Sequence, residues 1–163
     1  MRLNLGSGTH HLEGFINIDS QPGLGDVEAD ILDLPYEDNS VDEIYAGHVL
    51  EHLFWGQRDP AFEEWKRVLK PGGVITITVP DVIKAVELYN ANMFTYRQLN
   101  DAIYGNEGED EPGPMAGLHK MLVTEGMLVL WMRLHFTNVQ AVQTHPHHVA
   151  EVPWQSTVTA TKA

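Results

Sequence analysis

The sequence predicts an α/β fold with a doubly wound, mostly parallel sheet of about seven strands that includes a C-terminal antiparallel hairpin. Short apolar runs alternate with helical patterns through the first half of the chain, which is typical of a parallel sheet with helices on its faces. The run Val74–Val79 is β-branched throughout, as expected of a strand buried on both faces. Two further strand-like runs close the chain.

The strands are predicted from apolar or β-branched runs that are bounded by turn residues. In chain order they are Arg2–Leu5, Phe15–Asp19, Val27–Asp30, Val41–Ala46, Val74–Val79, Val139–Gln143 and Thr157–Lys162. The last two are predicted to form the antiparallel hairpin.

The clearest helix prediction covers Asp59–Lys70. Asp59 can cap it, Pro60 suits its first turn, and Pro71-Gly72-Gly73 ends it. Its apolar residues share one face at helical spacing: Phe62, Trp65, Val68 and Leu69.

Two more helices are predicted in the second half of the chain. Asp81 can cap one that runs through Tyr89, and the other spans about Thr124–Leu134. The second carries apolar residues on most sides, so we expect it to be largely buried. Between them, the segment 105–114 is acidic and rich in turn residues, which indicates a loop.

The composition indicates one domain, residues 1–163, and excludes some partners. Acidic residues outnumber Lys plus Arg by 23 to 10, for a net charge of −13. Nucleic-acid affinity comes largely from basic side chains that neutralise phosphates, so neither nucleic acid nor an anionic membrane is expected as a partner. The sequence leaves the oligomeric state open, a homodimer included.

The chain has no cysteine. A disulfide framework, a cysteine-based zinc site and a cysteine nucleophile are therefore excluded. The longest apolar run, Met127–Met132, is too short to span a bilayer, and no signal peptide is visible. These observations favour a cytoplasmic location.

A Gly-x-Gly turn, Gly6 to Gly8, follows the first predicted strand. It would lie where open α/β sheets bind ligands, and its glycines allow close approach of a ligand. A dinucleotide site would want a third glycine at His11 and an acid about 20 residues on. Asp19 follows Gly6 too soon, so a nicotinamide site is disfavoured.

Two acids end neighbouring strands. Asp19 is placed to accept both hydroxyls of a ribose. Asp30, with the backbone of Ile31, offers an acceptor and a donor for an adenine edge.

These motifs occur in an order that resembles the class I S-adenosylmethionine-dependent methyltransferases. The segments are LNLGSG, NID, ADILDLPYEDNSVDEI, HVLEHL and VLKPGGVITITVPD, all within residues 3–81. The likeness is to the small bacterial and phage-type methyltransferase domain proteins, and it is weaker over 117–163. It implies a Rossmann-like domain with a cofactor half (1–81), acceptor-side elements (82–125) and a C-terminal helix and hairpin (126–163).

The resemblance implies S-adenosylmethionine as cofactor and assigns roles to the motif residues. Leu5, Gly6, Ser7 and Gly8 would wrap its amino-acid part, and Asp19 would hold the ribose. Asp30 with Ile31 would bind adenine, while Gly47 and His48 would line the methyl-transfer cleft.

The chain departs from the family pattern at its beginning. Asn4 replaces a common acid, and the connection before Phe15 is too short for the usual first helix. Members with the same shortening exist, but the donor's carboxylate must then be bound by Ser7, Thr9 or a nearby backbone N–H.

The expected reaction is methyl transfer to a small-molecule or sugar acceptor, at a hydroxyl. A hydroxyl needs a base, and His48, His52 and His119 are the candidates, His48 first. The alternative is a catalytically silent S-adenosylmethionine-binding module.

A competing motif is His48-Val-Leu-Glu51-His52, which matches the H-x-x-E-H pattern of zinc peptidases. On a helix the two histidines would share one face, with Glu51 as base. The third ligand has no distinctive motif, since Glu63 and Glu64 fit only generically, so no metal is expected. The segment HPHH, 145–148, could also bind a metal but is more typical of a solvated loop.

Overall fold

A computed structural model describes residues 1–105, 117–142 and 153–163. The described chain forms one seven-stranded sheet with four α-helices. The strands are β1 (Arg2–Leu5), β2 (Ile16–Asp19), β3 (Val27–Glu28), β4 (Val41–Gly47), β5 (Leu69–Pro80), β6 (Thr137–Val142) and β7 (Gln155–Thr161). The helices are α1 (Arg58–Val68), α2 (Val82–Asn90), α3 (Tyr96–Tyr104) and α4 (Glu125–His135).

The sheet has the order β3-β2-β1-β4-β5-β7-β6. The first five strands are parallel, and β7 is antiparallel to both β5 and β6. This confirms the predicted fold class and the C-terminal antiparallel hairpin. The strand order reverses between β1 and β4, where doubly wound sheets bind their ligands at the carboxyl ends of the strands.

The connection from β1 to β2, residues 6–15, contains no helix and is held instead by two asparagine side chains. Asn4 Nδ2 donates to the His10 carbonyl and to Asn17 Oδ1, at 2.9 Å each. Asn17 Oδ1 also accepts the Leu12 N–H at 2.8 Å, and Asn17 Nδ2 donates to Asp26 at 2.8 Å. Both asparagines are buried, so this network satisfies polar groups that would otherwise be stranded in the core.

Helix α1 differs from its prediction at both ends. Asp59 lies inside the first turn and pairs with Arg58, while the residue that precedes the helix is Gln57, without a side-chain cap. The helix ends at Val68, because Leu69 adopts an extended backbone and pairs with Val41. Three residues of the predicted apolar face, Phe62, Trp65 and Val68, are fully buried on the helix, whereas Leu69 is fully buried in β5.

Helix α4 is less buried than predicted. Thr124 caps it through the Met127 N–H, but Leu130 and Leu134 are 60% and 69% exposed. The helix packs on α1, β6 and β7. The face of α4 that is buried in this contact is formed by Leu128, Trp131 and Met132.

Other differences are smaller. Strand β3 ends at Glu28, so Asp30 lies two residues beyond it. Helix α3 was not predicted, although its capping box, Thr95 with Gln98, is a readable signal. Most of the predicted acidic loop and the whole of HPHH lie outside the described residues. Within the described ranges, no helix is both long and apolar enough to cross a membrane.

Candidate active site

A cavity of about 730 Å³ opens at the carboxyl ends of β1, β2 and β4. Its volume is within the range of small-molecule sites, about 300–1,000 Å³. Its walls include most of the residues that the sequence singled out: Gly6, Ser7, Gly8, Asp19, Asp30, Ile31, Gly47, His48 and His52. Leu5 is fully buried in the core and His119 lies behind His52, so neither is among the lining residues.

The two glycines after β1 are required for different reasons. Both have a left-handed backbone, with φ of 60° at Gly6 and 49° at Gly8. A Cβ on Gly6 would lie 2.5 Å from a methyl carbon of Val49, whereas a Cβ on Gly8 would meet no atom within 4 Å. Gly6 therefore allows close packing of the turn, and Gly8 leaves open space at the cavity wall.

Ser7, between the glycines, carries a buried hydroxyl with no hydrogen-bond partner among the described residues. The neighbouring backbone donors are already used. The Ser7 N–H donates to the Ile18 carbonyl at 2.9 Å, and the Gly8 N–H donates to Asp19 Oδ2 at 2.8 Å. An unpaired buried hydroxyl in a cavity wall is a group that a polar ligand can satisfy.

Asp19 ends β2 with a carboxylate that is only 7% exposed. Its oxygens accept one backbone N–H each, from Gly8 at 2.8 Å and from Gln21 at 2.9 Å. A carboxylate oxygen can accept two hydrogen bonds. Asp19 therefore braces the glycine turn and keeps acceptor capacity toward the cavity.

Asp30, which is exposed, and Ile31, which is half-buried against the core, form a turn after β3. Asp30 Oδ1 accepts the Leu32 N–H at 2.9 Å, and the Ile31 carbonyl accepts Trp65 Nε1–H at 3.0 Å. Because Trp65 is fully buried in α1, the turn is anchored to the core while Asp30 stays exposed at the cavity.

Gly47, at the end of β4, lies against the Tyr45 hydroxyl. A Cβ on Gly47 would lie 2.3 Å from that oxygen. Burial raises the pKa of Tyr45 to about 12, an effect that the Thr78 hydrogen bond opposes and the Glu51 charge increases. Tyr45 is thus a neutral hydroxyl in the cavity wall at physiological pH.

His48 follows Gly47 and has φ of 56°, which is uncommon for a residue other than glycine. Its N–H donates to the Thr78 carbonyl at 2.9 Å. The turn aims the ring at two partners: Nδ1 lies 3.1 Å from Glu51 Oε1, and the Gln155 amide contacts Nε2. Since the carboxylate only accepts, Nδ1 carries the proton and Nε2 has the lone pair.

The zinc-peptidase alternative would need a helix through His48-Val-Leu-Glu51-His52, and the structure does not form one there. The left-handed turn at His48 precedes a 3₁₀ helix of three residues, Leu50–His52. His48 and His52 therefore do not share a helical face as a zinc-peptidase pair would, and Glu51 is buried beneath them.

His52 and His119 lie side by side, with ring centroids 5.2 Å apart. Their segments are joined by backbone bonds, since the Lys120 and Met121 N–H groups both donate to the Glu51 carbonyl. Burial lowers the pKa of His119, and the Glu51 charge opposes this shift. The sequence had named His119 as a candidate base beside His48 and His52, and the structure places it next to His52.

Among the lining or supporting residues missed at the sequence level are Tyr45 and Gln155. Tyr45 sits two residues before Gly47 in a strand, and alternation alone places it on the same face as Gly47. Gln155 had no such signal, because its contact with His48 spans 107 residues.

The comparisons with known proteins agree with this geometry. Residues 14–77 match a protein family described as "Methyltransferase domain". Among solved structures, a methyltransferase of Thermotoga maritima, described as a possible histamine N-methyltransferase, has a TM-score of 0.65 at 16% identity, over 99% of this chain and 81% of that one. An Archaeoglobus fulgidus S-adenosylmethionine-dependent methyltransferase has the same score and identity, over 99% and 85%. One from Methanosarcina mazei scores 0.60 at 16% identity, over 99% and 91%.

Proposed function

We propose that this chain is a class I S-adenosylmethionine-dependent methyltransferase, as the match of residues 14–77 to a methyltransferase domain supports, and that it methylates a hydroxyl of a small-molecule or sugar acceptor. The observation that carries the hydroxyl assignment is the pair His48–Glu51 on the cavity wall. A histidine whose Nδ1–H donates to a carboxylate is oriented to accept a proton at Nε2. A hydroxyl, unlike a neutral amine, needs such a base.

The residues around the cavity fit the methyl donor. When bound, S-adenosylmethionine supplies a methyl group that is already activated on a sulfonium. The unpaired Ser7 hydroxyl is the donor that we assign to its carboxylate, and Gly8 leaves the space that its amino-acid part needs. Asp19 has acceptor capacity for the ribose hydroxyls, and Asp30 with Ile31 is assigned to adenine.

In the proposed reaction His48 Nε2 takes the proton of the acceptor hydroxyl. With the donor bound, the acceptor oxygen would form a bond to the methyl carbon, and the carbon–sulfur bond would break with its electron pair left on the sulfur. Glu51 stabilises the imidazolium that results. In the structure the Gln155 amide donates to the lone pair of His48 Nε2. An acceptor hydroxyl would donate to the same lone pair, so it must displace the Gln155 amide when it binds. The cavity also accelerates the reaction by holding the acceptor and the methyl donor in the reacting orientation.

The charge of the chain supports the acceptor class. Acids exceed Lys plus Arg by 23 to 10, which disfavours polyphosphate acceptors. A neutral sugar or other small hydroxyl compound meets no such repulsion. A cytoplasmic location is part of the same proposal. The sequence left a homodimer open, and light scattering would measure the molar mass in solution that decides it.

Calorimetric titration tests the cofactor residues. We expect S-adenosylmethionine to bind the native protein and to bind Asp19→Ala at least roughly tenfold more weakly, since a hydrogen bond to a charged group contributes about 1.5–3 kcal/mol. Gly8→Ala should also bind more weakly, because its side chain would fill the space at the cavity wall and strain the left-handed backbone. Asp33→Ala is the matched control, because Asp33 is exposed and does not line the cavity. Unchanged affinity in Asp19→Ala would contradict the ribose assignment.

Turnover tests the base. His48→Asn suits the left-handed backbone and removes the imidazole, so we expect S-adenosylhomocysteine release with a hydroxyl acceptor to fall by about 10²–10⁴-fold, with unchanged cofactor affinity. His11→Asn, at an exposed histidine that does not itself line the cavity, is the control. A native rate in His48→Asn would rule out this base, and binding without turnover on any hydroxyl acceptor would favour the silent module.

A further inference from the structure

Glu51, His52 and His119 form a cluster that the proposed reaction leaves largely unused. Each offers one ligand atom, and these atoms all lie within 4.8 Å of one another. We propose that this cluster binds a divalent transition-metal ion, which deepens the proposed function by giving the acceptor hydroxyl a second anchor. The site differs from the peptidase pattern, because Glu51 is a ligand rather than a base and His48 is not a ligand.

A second observation supports the site independently of the spacing. Glu51 is 1% exposed, and its Oε2 has no hydrogen-bond partner among the described residues. Its other oxygen is held by His48. A buried carboxyl oxygen without a partner is costly. A cation between Oε2 and the two imidazoles would satisfy it.

The surroundings hold the ligands in place. His52 Nδ1 donates to the Leu118 carbonyl at 3.2 Å, which leaves the lone pair on Nε2 for a metal. The segment that carries His119 is fixed by two N–H bonds to the Glu51 carbonyl, and Lys120 Nζ contacts the His52 carbonyl at 3.0 Å. Such outer contacts, which set the tautomer and orientation of a ligand, are typical of metal sites.

The donor set indicates the class of metal. Two imidazoles and one carboxylate suit Zn²⁺, Mn²⁺, Fe²⁺ or Co²⁺ better than Mg²⁺. Ligand atoms around a tetrahedral ion with bonds of about 2.1 Å lie about 3.4 Å apart. The three ligand atoms here lie within 4.8 Å of one another, so small side-chain rotations must bring them closer when the ion binds.

The three residues leave at least one coordination position for another ligand. His52 lines the cavity, so in this proposal that position opens toward the cavity. A hydroxyl oxygen bound there is polarised, and its proton still passes to His48. The metal therefore anchors and activates the acceptor without altering the balance of the reaction.

Cobalt titration without S-adenosylmethionine tests the site separately from methyl transfer. We expect the native protein to bind one Co²⁺ with visible absorption bands that Zn²⁺ abolishes. His119→Ala and the larger His119→Gln should weaken Co²⁺ binding by at least roughly tenfold, as the loss of a ligand requires. His11→Ala is the matched control, because its histidine is exposed and distant from the cluster.

A triple variant, His145→Ala with His147→Ala and His148→Ala, separates this site from the HPHH segment and should bind Co²⁺ as the native protein does. Absence of Co²⁺ binding, native affinity in both His119 variants, or loss of binding in the triple variant would overturn the proposal. Circular dichroism of each variant identifies any that fails to fold. Cofactor titration is a separate measurement, so the metal site and the methyl-donor site can fail independently.

Discussion

Asp81 accepts four hydrogen bonds from three parts of the chain, so its removal should be among the most destabilising single changes. Oδ1 accepts the N–H groups of Ile83 and Lys84 at 3.0 and 3.3 Å, which caps α2. Oδ2 accepts the Glu125 N–H at 2.9 Å and the Ser156 hydroxyl at 2.8 Å, at the start of α4 and in β7. Asp81 is 3% exposed, so water cannot replace these bonds readily.

The magnitude follows from those contacts. Loss of a helix cap costs about 1 kcal/mol, and a hydrogen bond to a charged group contributes about 1.5–3 kcal/mol. Because the four bonds share one carboxylate they are not additive, and we expect Asp81→Ala to lower the free energy of unfolding by about 3–5 kcal/mol. For a chain of this size this corresponds to a Tm lower by about 6–20 °C.

Urea unfolding followed by tryptophan fluorescence measures the effect. Thr124→Ala is the control, because Thr124 caps α4 alone through one bond of 3.3 Å, and it should cost only about 1 kcal/mol. If Asp81→Ala costs no more than Thr124→Ala, the shared carboxylate does not join α2, α4 and β7 as the structure indicates.

Three further outcomes are expected. Gly6→Ala should cost about 2–4 kcal/mol in thermal unfolding, because the left-handed backbone is strained and its Cβ meets Val49; a loss below 1 kcal/mol would refute this. Asn17→Leu should cost about 2–4 kcal/mol, since it strands polar groups in the connection between β1 and β2; unchanged urea stability would contradict that role. Lys70 beside Asp42 holds the pKa of that carboxyl at about 2, so its stabilisation is complete above about pH 4 and is lost as pH falls toward 2. The difference in Tm between the native protein and Asp42→Asn should shrink over that range, and a constant difference would exclude this linkage.

The sequence predicts the sheet well because its signals are local. Val74–Val79 is β-branched, and Gly6 and Gly8 mark a turn at a strand end; both features act within a few residues. The cavity follows from them, since the carboxyl ends of parallel strands meet at one edge. Most residues expected at the cofactor site therefore line the cavity.

The differences arise where distant contacts decide the local structure. Apolar residues on most sides of α4 predicted a largely buried helix, but packing against α1, β6 and β7 covers only part of its surface and leaves Leu130 and Leu134 exposed. Leu69 fits a helix by pattern but pairs with Val41 instead. His48 enters a left-handed turn, with its N–H on Thr78 of the neighbouring strand, which no short motif predicts.

The position of β7 has a consequence for how the chain folds during synthesis. Residues 155–161 insert between β5 and β6, so they complete the middle of the sheet rather than its edge. Until the ribosome has released them, β5 lacks its neighbour on that side, and its fully buried Ile75 and Ile77 stay open to water and to other chains. Such late, long-range pairing is slow and prone to aggregation. A nascent chain of this protein therefore depends on β7, and a chaperone that shields β5 would act before residue 155 emerges.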